Sequence, residues 1–223
     1  MNFEQARFNM VEQQIRPWEV LDQRVLNVLH SLAREDFIVD EHRQLAYADL
    51  QIPLAHEQVM LAPVVEGRIL QSLGLSEIEN VLEIGTGSGY MTACLASLGK
   101  HVHSVDFFPE FIDTAHKCLS GLEVDGASID GKFKLEQADV MSDWQPENTF
   151  DVIVMSGAIR ELPTKVQNWL KPGGRLFVVI GSAPSRQAQL ITRQDESTWS
   201  TENLFETDLP DLLNVTHEQP FEF

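Results

Sequence analysis

The chain has little cysteine, few basic residues and no long apolar run. Its two cysteines, Cys94 and Cys118, do not form a C-x-x-C pair and cannot build a disulfide framework. Two small buried hydrophobes in a reducing, cytoplasmic setting is the expectation. No apolar run approaches the roughly 20 residues a membrane span needs. Met1 to Arg16 has no apolar core of a secretory signal. Sixteen Lys and Arg face 34 Asp and Glu, a net charge of -18. The basic residues are scattered, so the acidic field argues against nucleic acid as a partner. Residues 194–223 contain eight acids and no Lys or Arg. They read as solvated surface, or alternatively as a docking arm for a basic partner. Repeats, low-complexity tracts and Gly/Ser linkers are missing as well.

What remains is a chain of 223 residues, enough for one buried α/β domain and too short for two enzymatic ones. Glu4 to Ile15 has helical periodicity through Phe8, Val11 and Ile15, and Pro17 stops it. Asp22 is placed to cap a second helix carrying Val25 to Leu32. A loop-rich stretch, Asp36 to Pro53, follows. Val64 to Leu73 suits a helix ending at Gly74. Then strands alternate with helices. The strands are Asn80–Ile84, His101–Val105, Phe133–Gln137, Phe150–Met155 and Arg175–Ile180. The helices are Tyr90–Leu98, Pro109–Leu119 and Pro163–Leu170. Gln187 to Arg193 adds an edge hairpin. The alternation predicts a mostly parallel sheet covered on both faces, with an N-terminal helical extension. The expected organisation is one domain: residues 1–63 helical and substrate-side, 64–193 the cofactor-binding core, and 194–223 an acidic C-terminal segment.

The sharpest motif is Val81-Leu-Glu83-Ile-Gly85-Thr86-Gly87-Ser-Gly89-Tyr90. Its glycines let the backbone turn tightly from strand to helix and approach a ligand. A dinucleotide fingerprint wants Gly-x-Gly-x-x-Gly; here the third glycine comes one residue early. Glu83 would repel a pyrophosphate, whereas an ammonium and a sulfonium would suit it. Asp106, 21 residues after Gly85, closes the second strand, where an acid accepts ribose hydroxyls. Asp139 follows the third strand, where it could take an adenine amino group. The set points to S-adenosylmethionine, with S-adenosylhomocysteine as product, and to a Rossmann-like class I methyltransferase fold. Glu83, Gly85, Thr86, Gly87, Gly89, Asp106, Phe107, Asp139 and Val140 are the expected cofactor residues.

Several stretches carry a family resemblance. They are Met10-Val-Glu-Gln-Gln14, Arg24-Val-Leu-Asn-Val28, Ala46-Tyr-Ala-Asp49, the glycine motif through Gly89-Tyr90, Phe150-Asp-Val-Ile-Val154 and Leu170-Lys-Pro-Gly-Gly-Arg175. Together the chain resembles the protein-L-isoaspartate O-methyltransferases, from about Met10 to Arg193. The resemblance implies methylation of the carboxylate of isomerised aspartate in damaged proteins. Against the family's G-H-G-Q-T-I-S-x-P segment this chain has Ala55-His-Glu-Gln-Val-Met-Leu-Ala-Pro63. His56, Gln58 and Pro63 match. The family's flexible Gly is Glu57, and its catalytic Ser position is Leu61, which has no hydroxyl. Gly-Asp-Gly becomes Ala138-Asp139-Val140, and the Ala-rich turn with its Pro becomes Ser156-Gly-Ala-Ile-Arg160-Glu-Leu-Pro163.

An isoaspartyl carboxylate is ionised at neutral pH and needs no general base, so positioning and electrostatics carry the reaction. Leu61 then removes an orienting donor. Arg160, just after the fourth strand, is the candidate carboxylate binder; its alternative is a surface arginine paired with Glu161. His56 lines the site by family position, or is a surface residue. His101 and His103 share a strand face, but two histidines do not make a metal site, and no metal is expected. Two rival readings stay open at this point: a methyltransferase for a different acceptor, and a non-catalytic domain that binds the cofactor as a sensor.

Overall fold

Asn2 opens helix α1 (Phe3–Asn9) by accepting from the Gln5 N–H, and the helix widens into a π-turn over Met10–Ile15. Pro17 ends it in a 3-10 turn, Arg16–Trp18. Asp22 caps α2 (Gln23–Ser31) through the Arg24 N–H, and α2 buries Val25, Leu26, Val28 and Leu29. The loop-rich stretch expected next holds 3-10 turns and a two-residue strand, β1 (Ile52–Pro53). It pairs with β2 (Val59–Met60) around His56 and Glu57, both at positive φ. Helix α3 (Pro63–Leu73) starts on Pro63 and ends at the left-handed Gly74. The computed structural model describes residues 2–183 and 185–214.

The remaining elements are β3 (Asn80–Ile84), α4 (Tyr90–Leu98), β4 (His101–Asp106), α5 (Pro109–Leu119), the short pair β5 (Glu123–Val124) and β6 (Ala127–Ser128), β7 (Phe133–Gln137), β8 (Phe150–Ile159), α6 (Thr164–Asn168), β9 (Leu170–Ser182), β10 (Ser185–Arg193) and β11 (Trp199–Thr207). Seven strands form one sheet in the order β11-β10-β9-β8-β3-β4-β7. From β7 to β9 all neighbours are parallel, and β10 and β11 add antiparallel at the edge. One hydrophobic cluster joins the N-terminal helices, α3 and α4 to one face; the other gathers Val166, Trp169 and Leu170 under the opposite face. The chain leaves β3 for β4 on one side and returns to β8 on the other. Such a switch point opens a crevice at the carboxyl ends of the strands, where ligands bind in open α/β sheets.

Four elements differ from the sequence reading. β8 runs four residues past Met155, β9 begins at Leu170, and α6 is only five residues long. The acidic stretch after Arg193 contains β11. Its acids Glu202 and Glu206 are exposed while Leu204 and Phe205 pack on the core, as suits an edge strand that must stay soluble. The end of the acidic segment, residues 215–223, lies outside the described residues. No helix among the described residues is long and apolar enough to cross a membrane. Cys94 and Cys118 are both free.

Candidate active site

A cleft of about 860 Å³, measured with its open mouth, lies at the carboxyl ends of β3, β4 and β8. The turn Gly85–Ser88 forms its floor. Asp106–Phe108 and Ala138–Met141 form one side, and Ser156–Gly157 the other. Leu54 and the segment Gln58–Leu61 cover it, and Leu212–Leu213 close the far end.

The turn is held from behind. Gly85 and Gly87 sit at φ 100° and 51°, a left-handed conformation that side chains resist. The Gly85 N–H donates to the Val105 carbonyl at 2.8 Å. Asp106, nearly buried, accepts from the Gly87 N–H and from the Phe108 N–H, both at 3.0 Å. Burial pushes its carboxyl above the ordinary aspartate range, against those hydrogen bonds. Asp139 accepts from the Met141 and Ser142 N–H groups at 2.9 and 3.2 Å and from the Asn214 side chain at 2.7 Å.

Of the expected cofactor residues, Gly85, Thr86, Gly87, Asp106, Phe107, Asp139 and Val140 meet in this cleft. Glu83 and Gly89 are not part of its wall. Glu83 is fully buried behind the turn, accepting hydroxyl hydrogens from Thr92 at 2.5 Å and Ser104 at 2.6 Å. Thr86 joins the same group through Ser104 at 2.6 Å. With no cation beside it, burial pushes the Glu83 carboxyl up to about 8. It braces the turn from behind, in surroundings that favour its neutral form. Gly89 serves packing: a Cβ there would stand 2.9 Å from the Ala115 Cβ, so the glycine lets α4 lie against α5.

Leu61 lines the cleft as expected, and its carbonyl accepts from buried Arg34. His56 stays outside, stacked flat on Phe108 with ring centres 3.9 Å apart and with Glu110 3.5 Å away. It braces the Phe108 wall. Arg160 is exposed and is not among the cleft-lining residues, because the extra turn-free residues of β8 carry it past the edge. His103 is committed to Glu136 at 2.8 Å, and the Glu136 carboxyl is held down to about 2 chiefly by Lys134, Trp144 and His103 overcoming its desolvation.

Three groups escaped the sequence reading. Glu66 on α3 lines the cleft at 2% exposure and pairs with Arg34, whose guanidinium lies 4.9 Å over the Tyr90 ring. Burial, opposed by Arg34, pushes the Glu66 carboxyl up to about 7. Ser156 lines the other wall. The third is a strap, residues 208–214, bonded to Ala158 through Pro210 and Leu212 and clamped by Arg186 to Asp208 and Asp211. Only Glu66 had a signal, an acid flanked by apolar residues of an otherwise buried helix.

The match to known proteins runs along nearly the whole fold. Residues 5–209 match the family model described as protein-L-isoaspartate(D-aspartate) O-methyltransferase. A protein-L-isoaspartate O-methyltransferase of Brucella anthropi is 34% identical over 215 residues, covering 96% of this chain and 94% of the relative. One of Geobacter metallireducens is 31% identical over 204 residues, 92% of each chain. Among solved structures, a protein-L-isoaspartate O-methyltransferase of Plasmodium falciparum in complex with S-adenosyl-L-homocysteine superposes with a TM-score of 0.75 at 18% identity, covering 95% of this chain and 98% of that one. That likeness shows the shared fold, and with the family match it follows that this chain belongs to the protein-L-isoaspartate(D-aspartate) O-methyltransferase family.

Proposed function

We propose that this chain transfers the methyl group of S-adenosylmethionine to the free carboxylate of isoaspartyl residues in proteins or peptides, releasing S-adenosylhomocysteine. The observation that carries the reading is the cleft's chemistry. It combines the left-handed glycine turn with two carboxyls that have no cation beside them, Asp106 and Asp139, and with Glu66, which Arg34 pairs from behind; the lining residues include no Lys, Arg or His. Such a wall repels a pyrophosphate and suits a ligand bearing a sulfonium and an ammonium. The cofactor supplies a methyl group on a positively charged sulfur.

The chain's residues then bind, orient and exclude water. Gly85 and Gly87 let the backbone come close. Asp106 has oxygen lone pairs left for ribose hydroxyls beyond its two backbone bonds. Asp139 and Val140 flank the adenine position. Leu54, Met60, Leu61 and Phe108 keep water from the reacting centre. The acceptor carboxylate arrives ionised, so no residue needs to remove a proton. Net charge and the wall's lack of cations disfavour nucleic acid as acceptor. Two free cysteines suit a cytoplasmic setting.

Leu61, at the family's Ser position, favours a second reading, a methyltransferase for another acceptor. One assay separates them. Transfer of labelled methyl to an isoaspartyl peptide, absent with the matched aspartyl peptide, is the expected result. Labelling of lysate components but of neither peptide would establish the second reading.

A further inference from the structure

Seven buried side-chain polar atoms find no hydrogen-bond partner among the described residues, and of their residues Ser156 alone lines the cleft. An unpaired buried hydroxyl is unfavourable, and where one is kept it asks for a partner that comes and goes. The backbone sets this residue at the edge of the cleft. β8 pairs with β3 up to Met155. Along β9 its register jumps: Val154 opposes Phe177, and the next pair is Ala158 with Val179. Ser156 therefore sits in a bulge, a device that re-aims a side chain beside a site. Its Cβ lies 3.4 Å from the place a Cβ on Gly85 would take, and Leu212 of the strap packs on the neighbouring Gly157. The residue is wedged between glycine turn and strap.

Of the three hydroxyls on the wall, Thr86 bonds Ser104 and Ser88 accepts the Tyr90 N–H while keeping its own hydrogen, so Ser156 alone makes no bond among the described residues; the Gln58 amide donates one hydrogen to the His56 carbonyl. With no cation on the wall and no hydroxyl on Leu61, a bound carboxylate needs a neutral donor from elsewhere. A hydroxyl facing a carboxylate gives a charge-assisted hydrogen bond. We infer that the Ser156 hydroxyl donates to a carboxylate seated in the cleft and so supplies, from β8, the donor that Leu61 does not. Resting on the methyltransferase reading, this assigns Ser156 a positioning role. The carboxylate belongs to the acceptor or to the amino-acid end of the cofactor.

The test compares the parent chain with Ser156→Ala and Ser156→Thr. Without ligand, Ser156→Ala should melt at or above the parent temperature, since it removes an unpaired hydroxyl; a marked drop would reveal a purely structural role and overturn the inference. If the acceptor's carboxylate is the partner, Ser156→Ala lowers kcat/KM for an isoaspartyl peptide about ten- to a hundredfold and leaves the calorimetric Kd of S-adenosylhomocysteine alone. If the cofactor's carboxylate is the partner, that Kd weakens about tenfold. Ser156→Thr, which returns a hydroxyl, recovers part of either loss. Parental Kd, KM and kcat in Ser156→Ala would overturn the inference. Should the parent bind S-adenosylhomocysteine yet leave the peptide unmodified, the acceptor reading fails alone. The calorimetric arm then decides Ser156, an unchanged Kd counting against it.

Discussion

Replacing Glu83 by Gln tests whether the brace behind the glycine turn is neutral. Glu83 is fully buried, its only hydrogen-bond partners among the described residues are the hydroxyls of Thr92 and Ser104, and its Oε1 has none. Burial, with Asp106 adding repulsion, places its carboxyl at about 8 against an ordinary 4.5. Between those values the native state holds a proton that the denatured chain has released. Unfolding free energy therefore falls as pH rises, by ~1.36 kcal/mol per pH unit for this one group. The stabilising effect is complete below pH 4.5 and gone above about 8. Glutamine keeps the shape and the accepting oxygen but does not titrate. Urea denaturation of both proteins at pH 5.5 and 7.5 should show the parent losing about 2.7 kcal/mol relative to Glu83→Gln over that interval. Glu66 tilts both proteins in the same direction, so the difference isolates Glu83. Parallel stabilities at the two pH values would mean that Glu83 is ionised in the native protein, and the neutral brace would be refuted.

Other substitutions bear on other parts of the structure. Asp106→Ala should weaken S-adenosylhomocysteine binding by about 1–3 kcal/mol in calorimetry, by stranding ribose hydroxyls and freeing the Gly87 N–H. Arg34→Met removes the cation that opposes burial at Glu66, so the carboxyl is pushed up further and takes a proton in the interior. It should cost roughly 3–5 kcal/mol in urea denaturation at pH 8, where that proton must be drawn from solution, and less at pH 6. Leu61→Ser should raise methylation of an isoaspartyl peptide in a labelled-methyl assay with little change in S-adenosylhomocysteine affinity.

The glycine turn, Asp106 and Asp139 were legible because spacing along one strand–turn–helix unit places them, and that spacing is local. Glu83 was expected among the cofactor residues and does not line the cleft. Ile84 lines the cleft, and successive strand residues point to opposite faces, so Glu83 turns away from it. Gly89 was read as a ligand contact because its reason, Ala115 on α5, is 26 residues further on. Arg160 depended on where β8 ends, and β9 and the strap set that end by pairing with Ala158. The bulge at Ser156 exists only as a register between two strands, which no single stretch of sequence records. β11 was missed because its acids sit on the exposed face of an edge strand, where charge signals solubility rather than disorder.

The strap changes what it means for the site to be assembled. Cleft walls come from residues near 54–61, from 66, from 84–91, 105–111, 138–141 and 156–157, and finally from 212 and 213. In a nascent chain the glycine turn and Asp106 would emerge long before Leu212 arrives to cover them, so the cleft is finished only after the sheet has taken up its antiparallel edge. Occupancy and folding are thereby tied together. A ligand that needs all these walls recognises the completed sheet and not a partly folded one, and at a hundredfold excess over its Kd it would add about 2.7 kcal/mol to the stability of the whole domain. Without cofactor the same polypeptide lies closer to its unfolding threshold by that amount.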